Sequence, residues 1–199
     1  MSDPFLLYLH GFLSSPLSQK AQQTLKYCEQ IGFGSFINVP TLDSAPAETI
    51  SQLKSTLDAH QSEKIMLIGS SLGGYYATHL SEAYNAPAVL INPAIRPFEH
   101  WEERIGEHKN YYSDEVHLVT KAHIDELENL YIETFSNPEN IMALVQTGDE
   151  ALDYRLAVEK FGNAHCIVRE GGNHSYENYV SELPMIFEFL LSRIGHFER

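Results

Sequence analysis

An α/β fold, with a mostly parallel sheet of about six strands flanked by helices on both sides, is the class this sequence predicts. Short apolar, β-rich runs at 5–9, 35–39, 65–68, 88–91, 143–147 and 165–169 alternate with longer helical stretches at 18–31, 47–60, 72–84, 152–161 and 179–194. Runs such as Ile65-Met66-Leu67-Ile68 and Ala88-Val89-Leu90-Ile91 are apolar throughout. They lack the in/out alternation of a half-exposed strand, so they suit a parallel sheet buried on both faces. The length of 199 residues fits one domain, 1–199, with a core of useful size.

Each element has local reasons. Ser18 precedes the first helix as a candidate N-cap, and Gly32-Phe33-Gly34 stops that helix and turns the chain back toward the sheet. The stretch 93–140 breaks the rhythm: it is long, rich in His, Glu and aromatics, and contains Trp101, Tyr111 and Tyr112. A segment of that size between two strands needs helices of its own. It is expected to be a helical lid over the carboxyl ends of the strands, where open α/β sheets bind ligands.

Composition narrows the function. Asp and Glu number 27 against 13 Lys and Arg, a formal charge of −14 at pH 7. That balance argues against nucleic acid and anionic lipid, which need clustered cations. No apolar run reaches the roughly 18 residues of a membrane span, and the N-terminus lacks a signal-peptide pattern, so a soluble, cytoplasmic protein without membrane insertion is expected. Cys28 and Cys166 lack metal or redox spacing and read as small buried apolar residues. No His-Glu-x-x-His, Cys-x-x-Cys or phosphate-cradling Gly-Lys-Ser/Thr occurs, so neither a metal nor another cofactor is expected. The sequence is silent on oligomeric state.

The chemistry concentrates in a few loops. Gly69-Ser70-Ser71-Leu72-Gly73 lies between an apolar strand and a helix, the strand, sharp turn and helix of a nucleophile elbow with Ser71 at its tip. A serine hydroxyl is a weak nucleophile at neutral pH and needs a base, and the base needs a carboxylate to hold its tautomer. In the α/β-hydrolase chain order the acid follows a late strand and the histidine follows the last strand. Asp149, after Ala143-Leu144-Val145-Gln146-Thr147-Gly148, and His174, in Gly171-Gly172-Asn173-His174, meet those conditions. Asp153 competes with Asp149 but falls where the next helix begins. Of the ten histidines, His79, His100, His108, His117 and His123 read as packed or solvated, whereas His174 has the flanking glycines of a mobile turn.

An oxyanion hole needs two backbone N–H groups, one after the nucleophile and one from the loop after the first strand. These are assigned to Leu72 and, in Tyr8-Leu9-His10-Gly11-Phe12, to Phe12. His10 is expected to shape that loop beside the substrate. Arg96, Arg104, Lys109 and Lys121 are cations near the insertion that could meet an anionic leaving group, Arg96 first among them, or instead pair with Glu102, Glu103 or Glu107.

The chain resembles the YqiA-like esterases, a bacterial α/β-hydrolase family. The likeness rests on Tyr8-Leu9-His10-Gly11-Phe12 with Ser14-Ser15-Pro16, on Gly69-Ser70-Ser71-Leu72-Gly73-Gly74, and on Asn92-Pro93-Ala94 with Arg96-Pro97. It extends to Gln146-Thr147-Gly148-Asp149-Glu150 with Leu152-Asp153-Tyr154-Arg155, and to Gly171-Gly172-Asn173-His174. The resemblance implies a compact α/β-hydrolase fold, no cofactor, and esterase activity on short-chain acyl esters and acyl-CoA thioesters. The expected partner is therefore a small acyl ester or thioester. An acyl-CoA thioesterase, for which the insertion's cations would matter, and a non-catalytic binding module on a hydrolase scaffold are the alternatives.

Overall fold

The computed structural model of the chain describes residues 2–195. Its main sheet has six parallel strands, β1 (Pro4–Leu9), β2 (Ile37–Asn38), β3 (Lys64–Ser70), β4 (Ala88–Ile91), β7 (Ile141–Gln146) and β8 (His165–Arg169), in the order β2-β1-β3-β4-β7-β8. A two-stranded antiparallel hairpin, β5 (Gly106–Lys109) and β6 (Val116–Val119), stands apart. The helices are α1 (Gln19–Gln30), α2 (Pro46–Ala59), α3 (Leu72–Tyr84), α4 (Lys121–Asn129), α5 (Tyr154–Lys160) and α6 (Tyr179–Arg193).

Two apolar layers sandwich the sheet, and period-two alternation decides which residue enters which. On one face Leu7 and Leu9 of β1, Leu67 of β3 and Leu90 of β4 pack with Leu53 and Leu57 of α2 and Leu80 of α3. On the other, Leu6, Tyr8, Met66, Ile68, Val89 and Ile91 meet Ala21 and Cys28 of α1 and Leu183, Ile186 and Leu190 of α6. Side chains pointing both ways are thus fully buried, the physical reason the central strands read as unbroken apolar runs. A bidentate ion pair between Arg169 Nε and Nη2 of β8 and Glu182 of α6, at 2.8 and 3.0 Å, ties the outer strand to the last helix.

Several local expectations are corrected. The run at 35–39 yields only the two-residue β2, paired Leu6↔Ile37 and Leu7↔Asn38, behind a 3-10 turn at Gly34–Phe36. Pro40 follows, and an edge strand tolerates a residue that cannot donate. The insertion is not purely helical: beside the 3-10 segment Pro97–Arg104 and α4 it contains the hairpin β5–β6. There Val116 and Leu118 alternate with His117 and Val119, a period of two rather than 3.6. Ser18 is the N-cap residue of α1, but its side chain makes no capping bond. Cys28 is buried, and burial pushes its thiol up to about 12, whereas Cys166 is half-buried; both are free. Among the described residues no helix is long and apolar enough to cross a membrane.

The double burial sets a stability expectation. Leu67→Ala, at a fully buried position of the central strand β3, should cost about 2–5 kcal/mol, roughly 2–4 °C of Tm for each kcal/mol. Leu17→Ala, at a position 66% exposed, should stay within about 0.5 kcal/mol of the parent in urea titrations.

Candidate active site

The parallel strands deliver their carboxyl ends to one edge, where four loops meet. The loop between β3 and α3 is a single residue, Ser71, with φ 56° and ψ −121°. This conformation is sparsely populated for a residue with a Cβ and costs on the order of 1–3 kcal/mol unless its surroundings impose it. Here they do. Ser71 N–H donates to the carbonyl of Ile91 at 3.0 Å, and the Ser71 carbonyl accepts from Gly74 N at 2.9 Å and Ala94 N at 3.1 Å. A Cβ on Gly69 would overlap the Gly73 carbonyl, and one on Gly73 would overlap that of Leu9, so α3 can start this close to β1 only with glycine at both places. Ser71 Oγ is therefore held at the head of α3 rather than drawn into the core.

His174 bridges Ser71 and Asp149. Its Nε2 lies 3.0 Å from Ser71 Oγ, and its Nδ1 lies 3.0 and 2.9 Å from Asp149 Oδ1 and Oδ2. The Asp149 side chain is only 2% exposed, and its Oδ1 also accepts from Ala151 N and Leu152 N, both at 2.9 Å. The carboxylate is thereby aimed and fixed before it meets the imidazole. Asp153 has a different occupation: it caps α5 by accepting from Arg155 N at 3.0 Å and pairs with the Arg155 guanidinium at 2.7 Å.

The glycines before His174 serve shape, both having positive φ. Gly172 has φ +73°, and a Cβ there would overlap the Gln146 side chain. Gln146, buried at the end of β7, accepts from Asn173 N at 3.1 Å and Glu177 N at 2.9 Å and donates to the Glu177 carbonyl at 2.9 Å. Asn92, buried after β4, donates to the carbonyls of Asn173 at 3.0 Å and His174 at 3.2 Å while its Oδ1 accepts from Gln146 N at 3.0 Å. Glu150 accepts from His174 N at 2.9 Å, and that bond lowers its pKa. Two buried amides and a carboxylate thus clamp the turn. Sequence reasoning reaches Asn92 and Gln146 only as members of family blocks, Gln146 also as strand sequence, and gives neither a role; a polar side chain at the carboxyl end of an apolar strand is the signal that could find both.

Gly11 of the β1–α1 loop presses against the serine: a Cβ on Gly11 would stand 3.1 Å from Ser71 Cβ and 3.6 Å from Oγ. Phe12 follows it, and Leu72 opens α3, so the two chosen N–H groups belong to segments flanking Ser71. The Phe12 ring carries Trp101 at a centroid distance of 4.9 Å, His108 at 5.8 Å and Arg104 at 5.9 Å. His10 is 3% exposed and lines the cavity beside Ser71, with Nδ1 3.0 Å from the Gly11 carbonyl. Burial lowers its pKa from 6.5, so the ring is neutral at pH 7.

Arg96 lies elsewhere. It pairs with Glu99 at 3.1 Å and interacts electrostatically with Tyr131 and Lys160, and it does not line the cavity at Ser71. Lys109 pairs with Asp114 at 2.7 Å instead of Glu107. The cation that lines the cavity is Lys20, in the first turn of α1. Sequence reasoning misses it because a lysine early in an amphipathic helix resembles any solvated charge; the available signal is its place directly after the loop that carries Phe12. The cavity, of about 190 Å³, is bounded by Tyr8, His10, Lys20, Ser71, Tyr112 and His174 among others. The turn of the β5–β6 hairpin overhangs it, pinned by Tyr111 N to the Leu13 carbonyl at 2.9 Å and Asn110 Nδ2 to the Ser14 carbonyl at 3.0 Å. Among the described residues no cluster of three or more His, Cys, Asp or Glu could hold a metal ion.

Residues 5–191 match the model of the "Uncharacterised protein family (UPF0227)". The UPF0227 protein YcfP of Escherichia coli K12 / DH10B is 24% identical over 190 residues, covering 92% of this chain and 97% of that protein. YcfP of Salmonella gallinarum is 23% identical over 188 residues, covering 92% of this chain and 97% of that protein. Among solved structures, Est1E of Butyrivibrio proteoclasticus with ferulic acid bound superposes with a TM-score of 0.75 at 13% identity, covering 98% of this chain and 91% of Est1E. Mouse alpha/beta hydrolase domain-containing protein 10 gives 0.73 at 16% identity, covering 96% of this chain and 91% of the mouse protein. The fold is that of the α/β hydrolases, and the chain belongs to the UPF0227 family.

Proposed function

We propose that this protein is a serine hydrolase that cleaves small carboxylic esters through an acyl-serine intermediate. The observation that carries this reading is His174 reaching Ser71 Oγ at 3.0 Å with one nitrogen and Asp149 at 2.9 Å with the other. Ser71 Oγ attacks the ester carbonyl carbon as its proton passes to His174 Nε2, and the imidazolium so formed is stabilised by Asp149. The carbonyl oxygen takes the negative charge and receives the N–H groups of Phe12 and Leu72. Collapse breaks the bond to the leaving alcohol, whose oxygen takes the proton from Nε2. Water then repeats the sequence on the acyl-serine, releasing the acid and restoring the Ser71 hydroxyl.

A binding module would have no use for a serine held at φ 56°, a conformation that costs on the order of 1–3 kcal/mol. An ester is favoured over acyl-CoA because two of the four insertion cations that could read a CoA phosphate are engaged elsewhere, Arg96 with Glu99 and Lys109 with Asp114, while Arg104 lies over the Phe12 ring. Residues 93–140 act as a lid whose hairpin places Tyr111 and Tyr112 over the cavity.

A fluorophosphonate probe followed by peptide mapping should place one adduct on Ser71 and none on Ser71→Ala, whose ester turnover should fall by at least about 10³-fold. An adduct confined to another residue overturns the reading. Asp149→Asn should lower kcat by roughly 10⁴-fold through the wrong imidazole tautomer, whereas Asp153→Asn should leave kcat intact and cost about 1 kcal/mol of stability at the α5 cap. Asn92→Asp keeps the acceptor for Gln146 N but loses the donor to the carbonyls of Asn173 and His174. Steady-state kinetics should show kcat lowered by about 10²-fold with KM nearly unchanged, the split expected when a base is misplaced while substrate binding is preserved.

A further inference from the structure

Lys20 stands in the first turn of α1 with Nζ donating to the Ser175 carbonyl at 2.9 Å, one residue from His174. That bond occupies one of three ammonium hydrogens and leaves two for the cavity. Burial pushes the Lys20 pKa down to about 8, opposed by the charge of Asp149, so the group is still a cation near neutrality. The same end of α1 brings first-turn backbone N–H groups and the non-capping Ser18 hydroxyl to the cavity wall, and the helix dipole is positive there.

A second observation is independent of the helix. The side chain of Tyr8 is fully buried, its hydroxyl has no hydrogen-bond partner among the described residues, and Tyr8 lines the same cavity, interacting electrostatically with Tyr112 on the overhanging hairpin. A buried hydroxyl without a partner costs about 1–3 kcal/mol, a penalty that a bound acceptor would remove. Among the described residues no Leu, Ile, Val or Met side chain lines this cavity, and its apolar wall consists of the rings of Tyr8, Phe12, Tyr111 and Tyr112. Among the described residues one lysine and no arginine line it, which suits a singly charged carboxylate better than a phosphate.

We infer that the substrate carries a carboxylate close to its scissile ester, received by Lys20 Nζ and the Tyr8 hydroxyl. The assignment of an ester rests on the hydrolase reading above; the anion site itself does not. It is tested by binding to the Ser71→Ala protein, with ligand-observed NMR titration of two matched pairs. Monomethyl succinate against methyl pentanoate places the charge on the acyl half; 2-acetoxypropanoate against isopropyl acetate places it on the alcohol half.

In one pair the carboxylate should bind about tenfold more tightly than its neutral partner. Adding Lys20→Met should abolish that gap, and Lys20→Arg, which keeps the charge and can still reach Ser175, should retain most of it. Equal Kd values within both pairs, or a gap that survives Lys20→Met, overturns the inference. Equal weakening of charged and neutral esters by Lys20→Met also overturns it, because Lys20 would then only anchor the His174 turn. If the carboxylate binds through Lys20 while the wild-type protein hydrolyses neither ester, the anion site stands and the hydrolase reading fails.

Discussion

The backbone of Ser71 is the constraint around which the rest of the site is arranged. A left-handed serine between a buried strand and a helix is unfavourable locally, so it exists only where tertiary contacts over-determine it. Those contacts come from β4, through the Ile91 carbonyl and Ala94 N, and from β1, whose Leu9 carbonyl excludes any side chain at Gly73. They require β1, β3 and β4 to be adjacent and parallel, as the registers Leu9↔Gly69 and Ser70↔Ile91 provide. The two apolar layers that hold those strands together therefore also hold the serine in its strained state.

The same logic extends to His174. An imidazole on a loop after an edge strand would otherwise sample many positions, and Ser71 could not rely on it. The turn is instead tied to the ends of β4 and β7 by Asn92 and Gln146, which are bonded to each other through Asn92 Oδ1 and Gln146 N. Because both amides are buried and engaged on several sides, moving the turn would strand donors and acceptors out of water, at about 1–3 kcal/mol for each unsatisfied group. The histidine is thus positioned by polar satisfaction and the serine by steric exclusion.

How much of this is legible in the sequence follows from the range of each signal. The buried strands, the elbow and the order of Ser71, Asp149 and His174 are written in contiguous residues, so local pattern reaches them. β2 and the hairpin β5–β6 escape because their pairing partners and not their own composition set their length: β2 is cut to two residues beside Pro40, and β6 exposes Val116 and Leu118 that alone suggest a buried element. Sequence reasoning leaves the partner of Arg96 open and misses Lys20 for one reason. Whether a cation faces a cavity depends on which elements the topology sets side by side; for Lys20 the one local clue is its place directly after the loop that carries Phe12.

The charge distribution shows why that distinction matters for function. The chain carries a net −14, so its long-range field repels anions, yet a cation lies in the wall of the cavity beside Ser71. Screening confines the diffuse surface charge to about 8–10 Å at physiological salt, whereas Lys20 acts at contact distance in a partly desolvated pocket, where each charge counts for more. Net charge governs which large partners approach; the local arrangement governs which small molecule stays. On the proposed reading, a site with Lys20, the unpartnered Tyr8 hydroxyl and the strained Ser71 in its wall selects by the position of a single charge relative to the bond cleaved, a criterion that overall acidity neither reveals nor opposes.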